Sequence, residues 1–432
     1  MNHILKSDLK IQYSSLIIIP ILFVGCSFLS SINESKDKEF NLLLNEGKKS
    51  FYNGNYKESI EFLENAILLK PNHQESHYFL GYSYERYSSK DGAYMLETSL
   101  DLVSKSSNHF KKVIKISPEY KGELVVLDPY SKLTAIWGSL AMAYIAKGEI
   151  DSAKWAFKKG KLEGGYYPSL IEYNKNIMTT CDKNAVLFTN GDNDTYPMWY
   201  LQFIENFRTD ITVVNVSLLN AQWYIKQQKN DYPFGINNFN ISMSDSSIDR
   251  LSPVLFEEEL IQLNVPNDSL VPSGHIEWLL KPTYKEKALR IQDLVILNFL
   301  IENNWQRPAY FSTTVAHINM LGLNNYLQMD GLALQVIPYG GHNISEEKLE
   351  KNLLENYKFA YINDELNKYI PGMIGLYQNY LLCFYYLANG YFQSGNSIKA
   401  KEITKFMNKK MPDVPIFNDQ LKSSIEELIK NL

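Results

Sequence analysis

Eight polar residues in the middle of the chain have the types and spacing of a ligand site: Asp192, Asn193, Asp194, Asn215, Ser217, Asn220, Ser312 and Thr313. They follow or end three short apolar runs, 185–189, 211–216 and 307–315, which read as buried strands. Carboxylates, amides and hydroxyls gathered at strand ends can grip sugar hydroxyls or a divalent cation. In open parallel sheets, ligands sit beyond the carboxyl ends of the strands. The same residue types also cap helices and tie turns through local hydrogen bonds, so GDNDT (191–195) is open to both readings.

Other chemistry is sparse. There is no glycine-rich dinucleotide or P-loop fingerprint, no HExxH and no GxSxG. His275, His317 and His342 are scattered, and Glu257-Glu258-Glu259 reads as a solvated helix face. The cysteines, Cys26, Cys181 and Cys383, form no CxxC pair, which argues against a zinc site or a disulfide framework. Cys181 and Cys383 lie in apolar surroundings and read as buried thiols, with a bridge between them formally open. No catalytic residue, metal ligand or cofactor is expected.

Cys26 has its own context. Lys6 and Lys10 precede the apolar run 16–24, LIIIPILFV, far short of the ~20 residues that span a bilayer. The run ends in Phe23-Val24-Gly25-Cys26, which resembles a bacterial lipobox, although phenylalanine stands where leucine is commoner. That resemblance implies cleavage before Cys26 and acylation (palmitate or similar chains) of its thiol. At ~0.8 kcal/mol per buried CH₂, two or three chains hold a protein on a membrane. Residues 1–25 are then a signal peptide and the polar stretch 26–38 a tether.

The elements that must position these groups are mostly helical. In 40–72 the residues Gly47, Gly54, Tyr56, Ser59, Ala66 and Pro71 occupy signature positions of a 34-residue tetratricopeptide (TPR) repeat. Gly47 and Ser59 allow two helices to approach closely, Gly54 supplies the turn, and Pro71 stops the second helix. A second copy begins at Ser76, with extra residues inserted near 88–102. A third, 137–160, carries Trp137, Leu140, Ala141, Tyr144, Gly148 and Ala153 in phase. A fourth near the C-terminus carries Ala388, Tyr391, Gly395, Ala400 and Pro412. Stacked repeats share a core and form a concave groove for a peptide or partner protein.

Between them the pattern becomes β-α-β-α, which predicts parallel strands with right-handed crossovers. A helix at 197–204 would have Pro197 in its first turn and Asp194 or Thr195 as its cap. Residues 231–286 read as irregular, followed by a helix at 292–303 and a last strand at 332–337. The expected fold class is α + α/β, with TPR-type repeats flanking a small parallel-sheet, Rossmann-like domain. The repeats occupy 39–165, the α/β domain 166–340, and a helical C-terminal region 341–432.

The segments LFTNGDNDTYPMWYLQ, RTDITVVNVSLLNAQWYI, NNWQRPAYFSTTV and NNYLQMDGLALQVIP give this domain a family resemblance. Over roughly 180–340 the chain resembles the soluble C-terminal region of bacterial membrane proteins, common in Bacteroidetes. These are relatives of the vertebrate multi-spanning protein O-mannosyltransferases. The resemblance implies an extramembrane appendage of a glycosyl-transfer system. The catalytic part of such proteins is thought to lie in a membrane-embedded module that this sequence lacks, so no catalytic residue is carried over.

The chain has 432 residues, 45% hydrophobic and 21% charged, with a net charge of −5 and 30 tyrosines, which gives no footprint for nucleic acid. The leading expectation is a non-enzymatic, periplasm-facing lipoprotein of the bacterial envelope, at the outer membrane in preference to the inner. It would serve as a protein-binding scaffold or accessory factor in envelope glycosylation or assembly. The alternative is a carbohydrate-active enzyme or glycan-binding protein using the strand-end cluster.

Overall fold

The computed structural model describes the backbone of residues 18–89, 95–266, 270–341 and 343–432, with side chains from residue 34 onward. Residues 1–17 of the expected signal peptide, the side chains of its remainder and of Cys26, and His342 lie outside the described residues, as do 90–94 of the expected insertion.

Six helices form three successive hairpins: α1 (Ile18–Tyr52) with α2 (Tyr56–Leu69), α3 (Gln74–Ser89) with α4 (Leu100–Ile116), and α5 (Pro129–Ala146) with α6 (Ile150–Leu162). Neighbouring hairpins also touch, α2 on α3 and α4 on α5, so the three stack in chain order. Gly54 and Gly148 turn the first and third hairpins at φ +77° and +75°, a backbone that side chains rarely adopt. At Gly47 a Cβ would lie 2.7 Å from Leu63 Cγ, so the close helix contact read from the sequence is present. The stretch 27–38 is part of α1. Its residues from 34 to 39 are exposed, with Lys38 paired to Glu34 one turn back, and Phe40 is the first buried side chain among the described ones.

The hairpins lead through α7 (Pro168–Thr180) into β1 (Val186–Thr189), α8 (Asp192–Glu205), β2 (Thr212–Asn215), α9 (Gln222–Asn230) and α10 (Asp245–Asp249). Then come β3 (Val254–Leu255), β4 (Glu259–Asn264), β5 (His275–Leu280), β6 (Ala288–Leu289), α11 (Ile291–Asn303), β7 (Ala309–Ser312), β8 (Leu327–Met329) and β9 (Ala333–Val336). The chain ends in α12 (Glu346–Lys351), α13 (Pro371–Gln393), α14 (Ser397–Lys410) and α15 (Asp419–Asn431).

The central sheet has the order β2-β1-β7-β9-β8. Strands β2, β1 and β7 are parallel, as expected, but β9 runs antiparallel to both β7 and β8. The sheet is therefore mixed rather than parallel. Only Asp330, Gly331 and Leu332 separate β8 from β9, and so short a link can only make a hairpin.

The 231–286 segment is not wholly irregular. It holds α10 and the antiparallel pair β4–β5, in which Leu263, Ile276, Trp278 and Leu280 are buried. Glu259 belongs to β4, so the glutamate run is solvated but leads into a strand, not along a helix.

Helix α8 packs on α5, α6 and α7, which joins the hairpins to the sheet. The approach is close: a Cβ on Gly138 of α5 would lie 2.3 Å from the Tyr196 ring. The C-terminal hairpin, α13 with α14 turned at Gly395, packs on α7. Asn176 Nδ2 donates to Tyr380 Oη at 2.7 Å, and Asn379 Nδ2 donates to Tyr173 Oη at 2.8 Å. Cys181 and Cys383 are free and buried, and Cys383 Sγ donates to the Gly331 carbonyl at 3.2 Å. Burial pushes both thiols well above their ordinary range. No helix among the described residues is long and apolar enough to cross a membrane.

Candidate functional site

The turn after β1 is built around Asp194. Helix α8 begins at Asp192 with Gly191 at its cap, five residues before the start expected at Pro197. Asp194 acts backwards from the third helical position. Its Oδ2 accepts the Asn190 N–H at 2.8 Å and the Thr314 hydroxyl, and its Oδ1 accepts the Gly191 N–H at 2.7 Å. Its carboxylate is thus consumed by the turn and by β7's exit. Burial raises its pKa and these donors work against the rise.

Pro197 sits inside the helix and has no N–H for the Asn193 carbonyl four residues back. Asn174 of α7 supplies the missing donor, its Nδ2 lying 2.9 Å from Asn193 O. A residue nineteen positions upstream thus makes the internal proline tolerable.

The rest of the predicted cluster is similarly engaged. Asn193 Nδ2 donates to Ser131 Oγ at 3.0 Å. Asn215 Nδ2 donates to Thr195 Oγ1 and its Oδ1 accepts the Leu218 N–H. Ser217 reaches the Asn190 carbonyl, and Asn220 exchanges hydrogen bonds with Gln292. Ser312 Oγ accepts from Thr314, and Thr313 donates to Leu332 O.

Asp192 is the exception: its carboxylate has no hydrogen bond or ion pair among the described residues. It lines a cavity of about 450 Å³ with Asn190, Asn215 and Ser217, whereas Asn193, Asp194, Asn220, Ser312 and Thr313 do not line it. Desolvation raises the Asp192 pKa. Lys132 is the strongest opposing charge, and Glu85 and Asp194 add to the rise.

The opposite wall comes from the hairpins: Tyr82, Glu85 and Arg86 of α3, and Lys132 and Ser139 of α5. Lys132 is only 5% exposed, pairs with Glu85 Oε2 at 3.1 Å and lies 4.5 Å from the centre of the Tyr82 ring. None of these wall residues was anticipated from sequence. The available signal was a lone lysine in the otherwise uncharged α5.

Two further features are prominent. A trough of about 860 Å³ runs over α4, α5 and the start of α7. Ile114, Pro118, Tyr130, Leu133 and Tyr167 form its apolar floor, and Lys111, Lys112, Lys115 and Lys161 line it. Elsewhere Lys348 binds Asp182, Asp330 and Gln335 at 2.9–3.0 Å, while Tyr310 donates to Asp330. Burial raises the Asp330 pKa, but Lys348 and Tyr310 satisfy it internally, so this cluster ties β7, the β8–β9 turn and α12 together. Among the described residues no group of histidine, cysteine or carboxylate side chains could hold a metal ion.

Stacked helical hairpins on a small mixed sheet, with a polar cavity between them, define an α+β architecture. Residues 171–248 and 262–353 match the family model described as TMEM260-associated domain 2. The centre of the chain is therefore similar to a TMEM260-related, protein O-mannosyltransferase-like family. No curated protein matches the chain.

Proposed function

We propose that this chain is a lipoprotein of the bacterial envelope, acylated on Cys26 and facing the periplasm. Its hairpins are TPR-type repeats that hold an acidic segment of a partner protein in a system for envelope protein glycosylation or assembly. The basic, apolar-floored trough carries this reading. Four lysines line it against one carboxylate, Glu163, which is already committed to Lys111 and Lys159. Lys115 has no ion-pair partner among the described residues. Desolvated apolar surface supplies affinity and unneutralised charge supplies selectivity.

Three observations support the repeat assignment: the in-phase Gly47, Gly54 and Gly148, the close Gly47–Leu63 contact and the serial stacking. The PILFVGC run supports the anchor, and the TMEM260-associated match supports the glycosylation setting. The carbohydrate-binding alternative would have to work through Asp192 and its surroundings, because the fold engages the other strand-end residues.

The test is fluorescence anisotropy with a labelled peptide alternating Glu/Asp with Leu/Phe, against its Lys-for-acid counterpart. The acidic peptide should bind, and Lys111→Glu with Lys115→Glu should weaken it by about tenfold or more. Equal binding of both peptides, or indifference to the charge reversal, would remove the trough as the partner site.

A further inference from the structure

The link between α4 and α5, residues 117–127, lies as a strap along the first helices of the first two hairpins. It is gripped there mainly by its main chain. Gln74 Nε2 of α3 donates to the Ser117 and Glu119 carbonyls at 3.1 and 3.4 Å, and Glu75 Oε1 accepts the Glu123 N–H at 3.3 Å. Tyr78 Oη accepts the Val125 N–H at 3.0 Å and donates to Leu127 O at 2.8 Å. Tyr82 Oη accepts the Leu127 N–H at 2.7 Å and donates to the same carbonyl at 3.0 Å. Such contacts tolerate almost any sequence, because every residue except proline offers both main-chain groups.

Two strap side chains reach the helices through chemistry of their own. Glu123 pairs with Lys48 of α1 at 2.6 Å and accepts the Tyr52 hydroxyl, while Glu75 holds Lys48 from the other side at 2.8 Å. Tyr120 stacks on Tyr78 with ring centres 4.3 Å apart. Leu124 and Val126 turn outward and are 45% and 69% exposed.

Burial across this contact is one-sided. No residue from 117 to 127 is buried, whereas Tyr78 and Tyr82 are fully so. A link that belonged to the core would turn its leucine and valines inward. Segments with few buried apolar contacts open locally at a free energy well below that of global unfolding. Opening here bares two tyrosine hydroxyls and the Lys48 ammonium, all three already placed to hold a polypeptide.

We propose that the strap is a displaceable occupant of this surface, which takes in its place a partner segment carrying an aromatic residue three positions before a carboxylate. That spacing is the one between Tyr120 and Glu123. The partner's ring meets Tyr78, its carboxylate meets Lys48 and Tyr52, and its main chain meets the Tyr78 and Tyr82 hydroxyls. A tethered segment competes at an effective concentration on the order of mM, so the attached strap keeps the surface closed to poorly matched segments. The surface lies on α1 and α3, apart from the trough on α4, α5 and α7, and does not rest on that reading.

Amide hydrogen exchange on the wild-type chain reads the opening without any variant. The Val125 and Leu127 amides should exchange at least about a hundredfold faster than those of the buried middle of α3. Exchange of both sets at one rate overturns the proposal. Binding is read by fluorescence anisotropy with a labelled peptide of the strap's own sequence, EYKGELVVL, beside a control with serine for its tyrosine and lysine for its second glutamate. Lys111→Glu and Lys115→Glu are present throughout, so the trough contributes nothing. Loosening the strap with Tyr120→Ser and Glu123→Lys should tighten binding of the strap peptide at least about tenfold, because the tethered competitor is weakened. Adding Lys48→Glu should cancel that gain. No gain in the loosened chain, or equal binding of the two peptides, overturns the proposal. So does a loosened chain that no longer folds by circular dichroism, since a displaceable segment is not needed to hold the helices together.

Discussion

Gly47→Ala sets two effects of known sign against each other. Alanine in a helix interior is favoured over glycine by about 1 kcal/mol, so on propensity alone the variant should be more stable. The new Cβ, however, would stand 2.7 Å from Leu63 Cγ and 2.8 Å from its Cδ2. Carbon pairs rest at ~3.5–4.0 Å, so α1 and α2 would have to part by about 1 Å. Leu63 is fully buried and its Cγ lies one bond from its own Cβ, so the side chain cannot swing clear.

Parting also stretches Ser59, whose hydroxyl lies 2.8 Å from the Gly47 carbonyl and 2.9 Å from Ser83 Oγ in the next hairpin. Overpacking typically costs ~1–3 kcal/mol, which exceeds the propensity gain. The expected net loss is about 1–2 kcal/mol. Gly375→Ala in α13 is the control, because it is exposed and its Cβ meets nothing within 4 Å. It should gain up to ~1 kcal/mol. Urea unfolding followed by circular dichroism compares the midpoints directly. A Gly47→Ala midpoint at or above wild type would refute the argument that these helices touch through the glycine.

Asn174→Ala should cost about 1–3 kcal/mol by leaving the Asn193 carbonyl without a donor, and Pro197→Ala in that background should recover part of the loss by restoring a backbone N–H; a double variant no more stable than Asn174→Ala would dismiss this account. His77 and His109 meet at 2.9 Å through their Nδ1 atoms, and burial, with His77 alongside, pushes His109 down to about 4. The unfolded imidazole titrates near ~6.5, so the unfolded chain takes up the proton first on acidification. Stability should be full above ~6.5 and decline as pH falls toward 4, by roughly 1–2 kcal/mol between pH 7 and pH 5. Urea midpoints should show this limb flattened in His109→Gln, and an unchanged slope would assign it elsewhere. Finally, cells fed a palmitate analogue should label the wild type and not Cys26→Ser; an unlabelled wild type ends the lipoprotein proposal.

What was legible in the sequence was local. Gly47, Gly54 and Gly148 mark contacts and turns that depend on a missing Cβ, and such positions announce themselves within one hairpin. The runs that became β1 and β2 are continuous and apolar, hence visible. The errors arose where distant residues decide the outcome. Pro197 looked like a helix start because its rescuer, Asn174, sits on another helix. The β4–β5 ribbon was hidden because one face is exposed and its flanks are rich in Asn, Ser and Pro. Antiparallel β9 was misread as part of a parallel sheet because periodicity does not encode strand direction. Of the strand-end cluster, Asp192 alone has no partner among the described residues. Its companions Glu85, Arg86 and Lys132 come from helices dozens of residues away, and only the lone lysine in α5 hinted at them.

The hydrogen bonds from α13 back to α7 bear on how this protein can be divided. The family match ends at residue 353, yet Tyr173 and Asn176, inside the match, bond to Asn379 and Tyr380, outside it. Gly331, in the β8–β9 turn, is met by Cys383. A gene fragment cut at the homology boundary would therefore leave α7 and the β8–β9 turn bare, with Tyr173 stripped of the Tyr380 ring. On the ribosome the middle of the molecule emerges before α13, which packs on it, so its completion waits for that helix. A portable unit of this architecture has to include α13 as well as the matched residues.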